Sequence, residues 1–239
     1  MGVRKNQKNM TAAEWTAFIA AIDAMHGTGA AKPAYRRFVS LHVSAMSMSH
    51  MDWSVHTMGG MGGPLAPARN FLAWHRRFLK IFEDRLQKAN PAVTVPYWDS
   101  VTDRHIPAAL NTPALLARWS VTRNWDASQL ASKADLTAVK GYSGTFTGFQ
   151  TLLEGAVHAG THNAVGGDMA GAASPTDPLF WLHHAFMDKT WAAWQASPRG
   201  KNPPNMSESL KPANMQAGVP FKAKVSSLVR IASLGYSYA

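Results

Sequence analysis

Histidines at a spacing that lets two imidazoles share one ion are the first chemistry legible in this chain. His158 and His162 lie four residues apart in a segment with helical patterning. Their side chains therefore share one helix face, roughly 5–6 Å apart at Cβ, the reach within which two rings grip one metal. A zinc-protease reading needs Glu directly after the first histidine as general base; Ala159 stands there, so that reading is disfavoured. His183 and His184 are neighbours, about 100° apart on a helix, so one of them alone can point squarely at the same site, and spacing does not choose between them. His42 and His75 fall in two further helical patterns beside their apolar stripes. A single imidazole in that setting is ordinarily a hydrogen-bonded core residue, because burial costs free energy unless both nitrogens are satisfied. Five converging ones are harder to explain that way. The chain has no cysteine, which excludes disulfides, thiolate ligands and thiol nucleophiles. All-imidazole ligation suits copper or zinc, and the affinity order places copper above zinc.

The elements that must position these rings follow from apolar periodicity. Trp15, Phe18, Ile19 and Ile22 mark an amphipathic helix over 11–26, opened by a capping box of Thr11 and Glu14. A second helix begins after Pro33 and dissolves near Asp52, and GGMGGPLAP at 59–67 reads as a loop. The most regular pattern runs from Arg69 to Lys88, with Phe71, Leu72, His75, Phe78, Leu79, Phe82 and Leu86 on one stripe. VTVPYW at 93–98 reads as extended, a short helix falls around 108–119, and a fourth long one spans about 145–163, stopped by Gly166 and Gly167. A fifth starts at Asp177-Pro178, with Asp as N-cap, and runs to Pro198. The sum is a mainly α, single-domain four-helix-bundle fold with long loops and little β structure, its core at about 11–198 and a basic tail at 199–239 packing on it.

Composition narrows the function classes. Of 239 residues, 46% are apolar and 10% aromatic, enough for a sizeable core. No stretch has the apolar length of a membrane span, no leader is visible, and Asn6 breaks a myristoylation pattern, so no membrane role is expected. The net charge of +10 invites a nucleic-acid partner, but it is dispersed: Arg4, Lys5 and Lys8 at one end, and Lys201, Lys211, Lys222, Lys224 and Arg230 at the other, opposed there by Glu208. Such terminal charge reads as solubility, and a nucleic-acid partner would explain none of the histidines.

RNFLAWHRRFLKIFE (69–83), VPYWD (95–99), LEGAVHAGTHNAVGG (153–167) and SPTDPLFWLHHAFMDKTWAAWQ (174–195) together resemble the copper A and copper B signatures of the tyrosinase family. The likeness covers most of 33–195, and the opening VRKNQKNMTAAEW and closing LGYSY are similar to bacterial members. The resemblance implies two copper ions as cofactors, O2 as co-substrate and a phenolic small-molecule substrate. It implies His42 and His75 as copper A ligands, His158, His162 and His184 as copper B ligands, His183 as a non-ligand, and Phe180 as a ring over the substrate entrance.

Two positions depart from the family pattern. The middle copper A ligand stands nine residues before His75 in most relatives, and here that residue is Ala66. His56 takes the role in our reading, because the glycines at 59, 60, 62 and 63 let a long loop fold back, with His50 the alternative. Relatives with strong monophenol hydroxylation commonly carry Asn after the first copper B histidine, where it orients a water; Ala159 replaces it, leaving Glu154 without that partner. The expectation is an oxidase of o-diphenols and o-aminophenols, weaker on monophenols, with Ala172 and Ala173 giving an open entrance. The alternatives are a full tyrosinase with strong hydroxylase activity and a non-catalytic O2 or metal binder, the second disfavoured because the 44 residues after Gln195 are too few for a covering domain. Relatives without a leader are exported with a small copper-delivery partner protein, so location stays open.

Other residues have plainer readings. Met46, Met48, Met51, Met58 and Met61 read as gap fillers, with a Cu(I) loading surface as the sharper alternative. Arg76 and Arg77 pair with carboxylates such as Asp177 or Asp188, or else lie on the surface. Trp181, Trp191 and Trp194 are core, and His26 and His105 are surface or loop residues.

Overall fold

The Thr11 hydroxyl accepts the Glu14 N–H at 3.2 Å while the Glu14 carboxylate accepts the Thr11 N–H at 2.8 Å. This is the expected capping box, and it opens helix α1 over Ala12–His26. The computed structural model describes residues 1–27, 34–47, 69–210 and 221–239. His50, His56, Ala66, Met48, Met51, Met58, Met61 and the glycines at 59–63 lie outside them.

Helices α2 (Ala34–Ser47) and α3 (Phe71–Ala89) follow; α1 packs on both. Two short helices, α4 (Pro113–Trp119) and α5 (Lys133–Gly141), come next. The expected fourth long helix is three pieces: α6 (Phe146–Leu152), a wide π turn (Leu153–Ala159) and α7 (Gly160–Val165). Its break sits at Gly155, whose backbone leaves helical values at φ −65°, ψ −115°, consistent with a π-bulge kink. Helix α8 (Leu179–Ala196) lies along α3. Aromatic rings lock this pair: Trp181 of α8 stacks on Phe82 of α3 at 3.6 Å and 3°, with Phe78 at 4.8 Å and Phe38 of α2 at 5.7 Å. The mainly helical class expected from periodicity is what the structure shows.

Helix α3 starts without help from Asn70, which makes no side-chain cap. Gln150, almost wholly buried on α6, instead accepts the Leu72 N–H at 3.1 Å. Gln150→Leu strands that donor and is expected to lower stability by about 1–3 kcal/mol, read as a lower urea midpoint at unchanged slope. A midpoint equal to wild type would mean another group caps α3.

The strands are short. β1 (Gly2–Arg4) pairs in parallel with β4 (Tyr236–Tyr238), and β2 (Ser209–Leu210) pairs antiparallel with β3 (Ala223–Lys224). Arg4 is not solubilising terminal charge but completely buried, donating to Glu83 at 2.9 Å and to Asp188 at 3.3 Å, with its guanidinium 3.6 Å over the Tyr236 ring. Asp188 also receives Arg76, Tyr236 at 2.7 Å and Tyr238 at 2.6 Å. Four charged groups are buried because each neutralises another. Arg77 differs from its neighbour: its Nε donates to the Phe221 carbonyl at 3.2 Å. Asp177 pairs with Arg123 at 2.7 and 2.8 Å and accepts the Leu179 N–H at 2.9 Å, doing the N-cap's work one residue before Pro178. His26 is no loop residue. It ends α1, half-buried and stacked on Tyr35 at 4.2 Å, because the last turn of α1 faces α2. The three tryptophans of α8 are core, as expected.

Candidate metal centre

His75 sits one turn inside α3, and its Nδ1 donates to the Phe71 carbonyl at 2.8 Å. His42 on α2 is placed 5.8 Å away, ring to ring, its Nδ1 donating to the Ala172 carbonyl at 2.7 Å. His162 on α7 repeats the arrangement with the Met169 carbonyl at 2.6 Å. A carbonyl oxygen only accepts, so in each neutral ring Nδ1 carries the hydrogen and Nε2 the lone pair. Backbone thus fixes three tautomers in the form a metal needs.

Two of these carbonyls, those of Met169 and Ala172, come from one short segment. Gly166 and Gly167 stop α7, as expected, with φ of +62° and +52°. A side chain at Gly167 would meet the Thr122 carbonyl at 2.2 Å, so only glycine fits. The turn they make carries Met169 back to His162 and Ala172 across to His42. Asp168 secures it by accepting the Thr122 N–H at 2.7 Å. Thr161 holds the start of α7, its hydroxyl 2.7 Å from Ser100.

The histidines fall into two groups that meet at α8. Among the described residues, one ligand atom each from His158, His162, His183 and His184 lies within 4.8 Å of the other three. The Nε2 atoms of His162 and His184 are 3.4 Å apart, close to the separation of two nitrogens each about 2.0–2.1 Å from one tetrahedral ion. His184 also stacks on His75 at 4.2 Å and 11°, so it stands between this group and the His42–His75 pair. Its imidazole is held well below its ordinary pKa by burial and then by His75, His158, His183 and His162. His183 is lowered as well, by burial first and then by His162; the nearby His158 main chain opposes the shift without reaching hydrogen-bond geometry. Neutral nitrogen donors and no thiolate make a set that fits copper.

Phe180, one turn before His184, is fully buried, 4.1 Å from His184 and 5.1 Å from His42. It is wedged between the two groups. Glu154 is buried one turn before His158, whereas Ala159 is exposed. Ala172 and Ala173 are half-buried. Periodicity had no means of finding the Met169 and Ala172 carbonyls, since any residue supplies one; the Gly-Gly pair was the only trace they left.

The family model described as the common central domain of tyrosinase matches residues 32–116 and 105–197. A tyrosinase from Streptomyces antibioticus is 33% identical over 267 residues, covering 90% of this chain and 93% of that protein. In fold, all of the chain superposes on 85% of Grenache (Vitis vinifera) polyphenol oxidase with a TM-score of 0.76 at 18% identity. It also superposes on 68% of a functional unit from octopus hemocyanin with a TM-score of 0.65 at 22% identity. Buried imidazoles gathered in two groups and a match that runs through both of them lead to one conclusion: the chain belongs to the tyrosinase family, as a binuclear copper oxidoreductase.

Proposed function

We propose that the protein oxidises o-diphenols, and o-aminophenols of the same shape, to o-quinones or their imine counterparts, with monophenol hydroxylation much slower. The observation that carries this reading is Ala159. It follows His158 directly, at the position where relatives with strong hydroxylation commonly place an amide, and offers only a methyl group. A water beside the buried Glu154 has no second acceptor from residue 159. A catechol reaches the quinone by losing two electrons and two protons, while a monophenol must first give up its proton, the step a positioned water assists.

In this reading His42 and His75, with His56 or alternatively His50, hold one copper, and His158, His162 and His184 hold the other. Bound copper supplies two-electron acceptance and the binding of O2. The chain's own residues do the rest. Phe71, Met169 and Ala172 carbonyls hold three rings in register, Phe180 keeps the space between the groups apolar, and α3 and α8 fix the distance between them. His42, His75, His158 and His184 are all buried, which supports loading by a copper-delivery partner protein. We read residues 1–239 as one catalytic domain, since β1 and β4 join its two ends.

Ala159→Asn is expected to raise monophenol hydroxylation relative to diphenol oxidation by about tenfold or more, measured on tyrosine and the matching catechol, as restored proton transfer would. Wild-type protein that hydroxylates tyrosine as fast as it oxidises the catechol would overturn the reading in favour of a full tyrosinase. Two coppers that bind O2 reversibly and turn over neither substrate would favour an oxygen carrier.

A further inference from the structure

His183 is wholly buried, yet neither of its ring nitrogens meets a hydrogen-bond partner. An imidazole left short of hydrogen-bond geometry costs free energy, so its retention in the core calls for a use. Its surroundings supply one. The His183 ring lies 5.4 Å from His158, 5.0 Å from His162 and 5.2 Å from His184. It belongs to the group of four whose ligand atoms lie within 4.8 Å of one another.

Two nitrogens on one ion are separated by at most twice the bond length, about 4.2 Å. The four ligand atoms lie within 4.8 Å of one another, a bound wider than that, so they can serve as two overlapping sets of three as well as a single set of four. His158 and His162 are common to both. His184 completes the set that faces His75, on which it stacks at 4.2 Å. His183 completes the other, and makes no ring contact with His42 or His75 among the described residues.

We propose that His183 is a transfer ligand: an incoming ion is first held by His158, His162 and His183, then passes to His184 by exchange of one imidazole for its chain neighbour. The step is a ligand substitution with no change of oxidation state. One copper–nitrogen bond breaks as another forms, and both imidazoles are neutral before and after. The proposal rests on the ligand set given above for the second copper. It differs from an orienting role, in which His183 would only steady the His158 main chain, because an amide could do that and could not pass on an ion.

The test is uptake of Co(II) by the metal-free full chain, followed by stopped-flow visible absorption and by metal analysis at the end point. His183→Asn keeps a donor for the His158 main chain but removes the ligand; it is expected to reach wild-type stoichiometry with the second group filling about tenfold or more slowly, the scale on which neighbours of a site change metal binding. His184→Asn is expected to keep one Co(II) on the set completed by His183, and His183→Asn in the same chain to abolish it. Uptake at the wild-type rate in His183→Asn would overturn the proposal, as would a lower final stoichiometry, which would make His183 a resident ligand. If His183→Asn fails to fold, His184→Asn decides alone, and no Co(II) bound there would overturn the proposal. Wild-type chain that takes up no Co(II) at its histidines would be a failure of the ligand set itself, visible before any variant is made.

Discussion

His75→Ala is expected to leave one copper per chain instead of two and to lower catechol oxidation by more than about a hundredfold, beyond the loss that follows when only a ligand's outer partner is removed. The ring is placed for a double role. Its Nδ1 is committed to the Phe71 carbonyl at 2.8 Å, so Nε2 is the atom that would meet the first copper in the proposed ligand set, and its face supports His184 at 4.2 Å, so the second group loses a wall as well. Metal analysis and oxygen consumption on the same preparation check the result. A variant that keeps both ions and its activity would remove His75 from the ligand set. Folding should survive, because α3 keeps its stacked contact with α8 through Phe82 and Trp181.

Asp188→Ala should cost about 3–5 kcal/mol, the range for removing one partner of a buried ion pair. That is a large part of the roughly 5–15 kcal/mol that holds a domain together. Arg76 would keep the Leu228 carbonyl at 2.9 Å, the Val229 carbonyl at 3.1 Å and its place 3.5 Å over the Trp191 ring, but no carboxylate would balance its charge. Arg4 would retain Glu83 at 2.9 Å, while Tyr236 and Tyr238 would both lose their acceptor. Urea unfolding of the metal-free protein measures the change, and a loss below about 1 kcal/mol would show the cluster to be dispensable. The dependence on pH has a definite sign. Burial alone would raise the Asp188 carboxyl, but Arg76, Arg4 and the Tyr238 hydroxyl together hold it below the ordinary carboxylate value. A carboxylate lowered in the folded state adds stability above the unfolded pKa of about 3.9 and forfeits it as pH falls further. Wild type should therefore lose more stability than Asp188→Ala below about pH 4.

How much of this was legible in the sequence depended on the range of the interaction involved. The helices at 12–26, 71–89 and 179–196 were readable because an apolar stripe, joined in the first and last by a local cap, acts within a few residues. Helix α5 was missed although Ser132 and Asp135 form a capping box, since only Leu136 and Val139 of its nine residues are buried and its stripe is faint. The kink at Gly155 was missed for a related reason: one residue's departure does not disturb the periodicity on either side. His158, His162 and the adjacent pair on α8 declared themselves through spacing, whereas the burial of Arg4 could not, because Glu83 and Asp188 lie 79 and 184 residues away. A charge near a chain end looks solvated until its partners are known.

The segment between Gly166 and Ala173 reaches one histidine in each group, through Met169 to His162 and through Ala172 to His42. In the proposed ligand set the two coppers would therefore not be separately tunable by inheritance. An insertion or deletion in those few residues would misplace both carbonyls in a single event, and no compensating change near one ion would repair the other. Variation that adjusts one centre alone has to arise elsewhere, in α3 for the first or in the π turn for the second. Descendants of this chain should accordingly hold the length of that segment more tightly than its side chains.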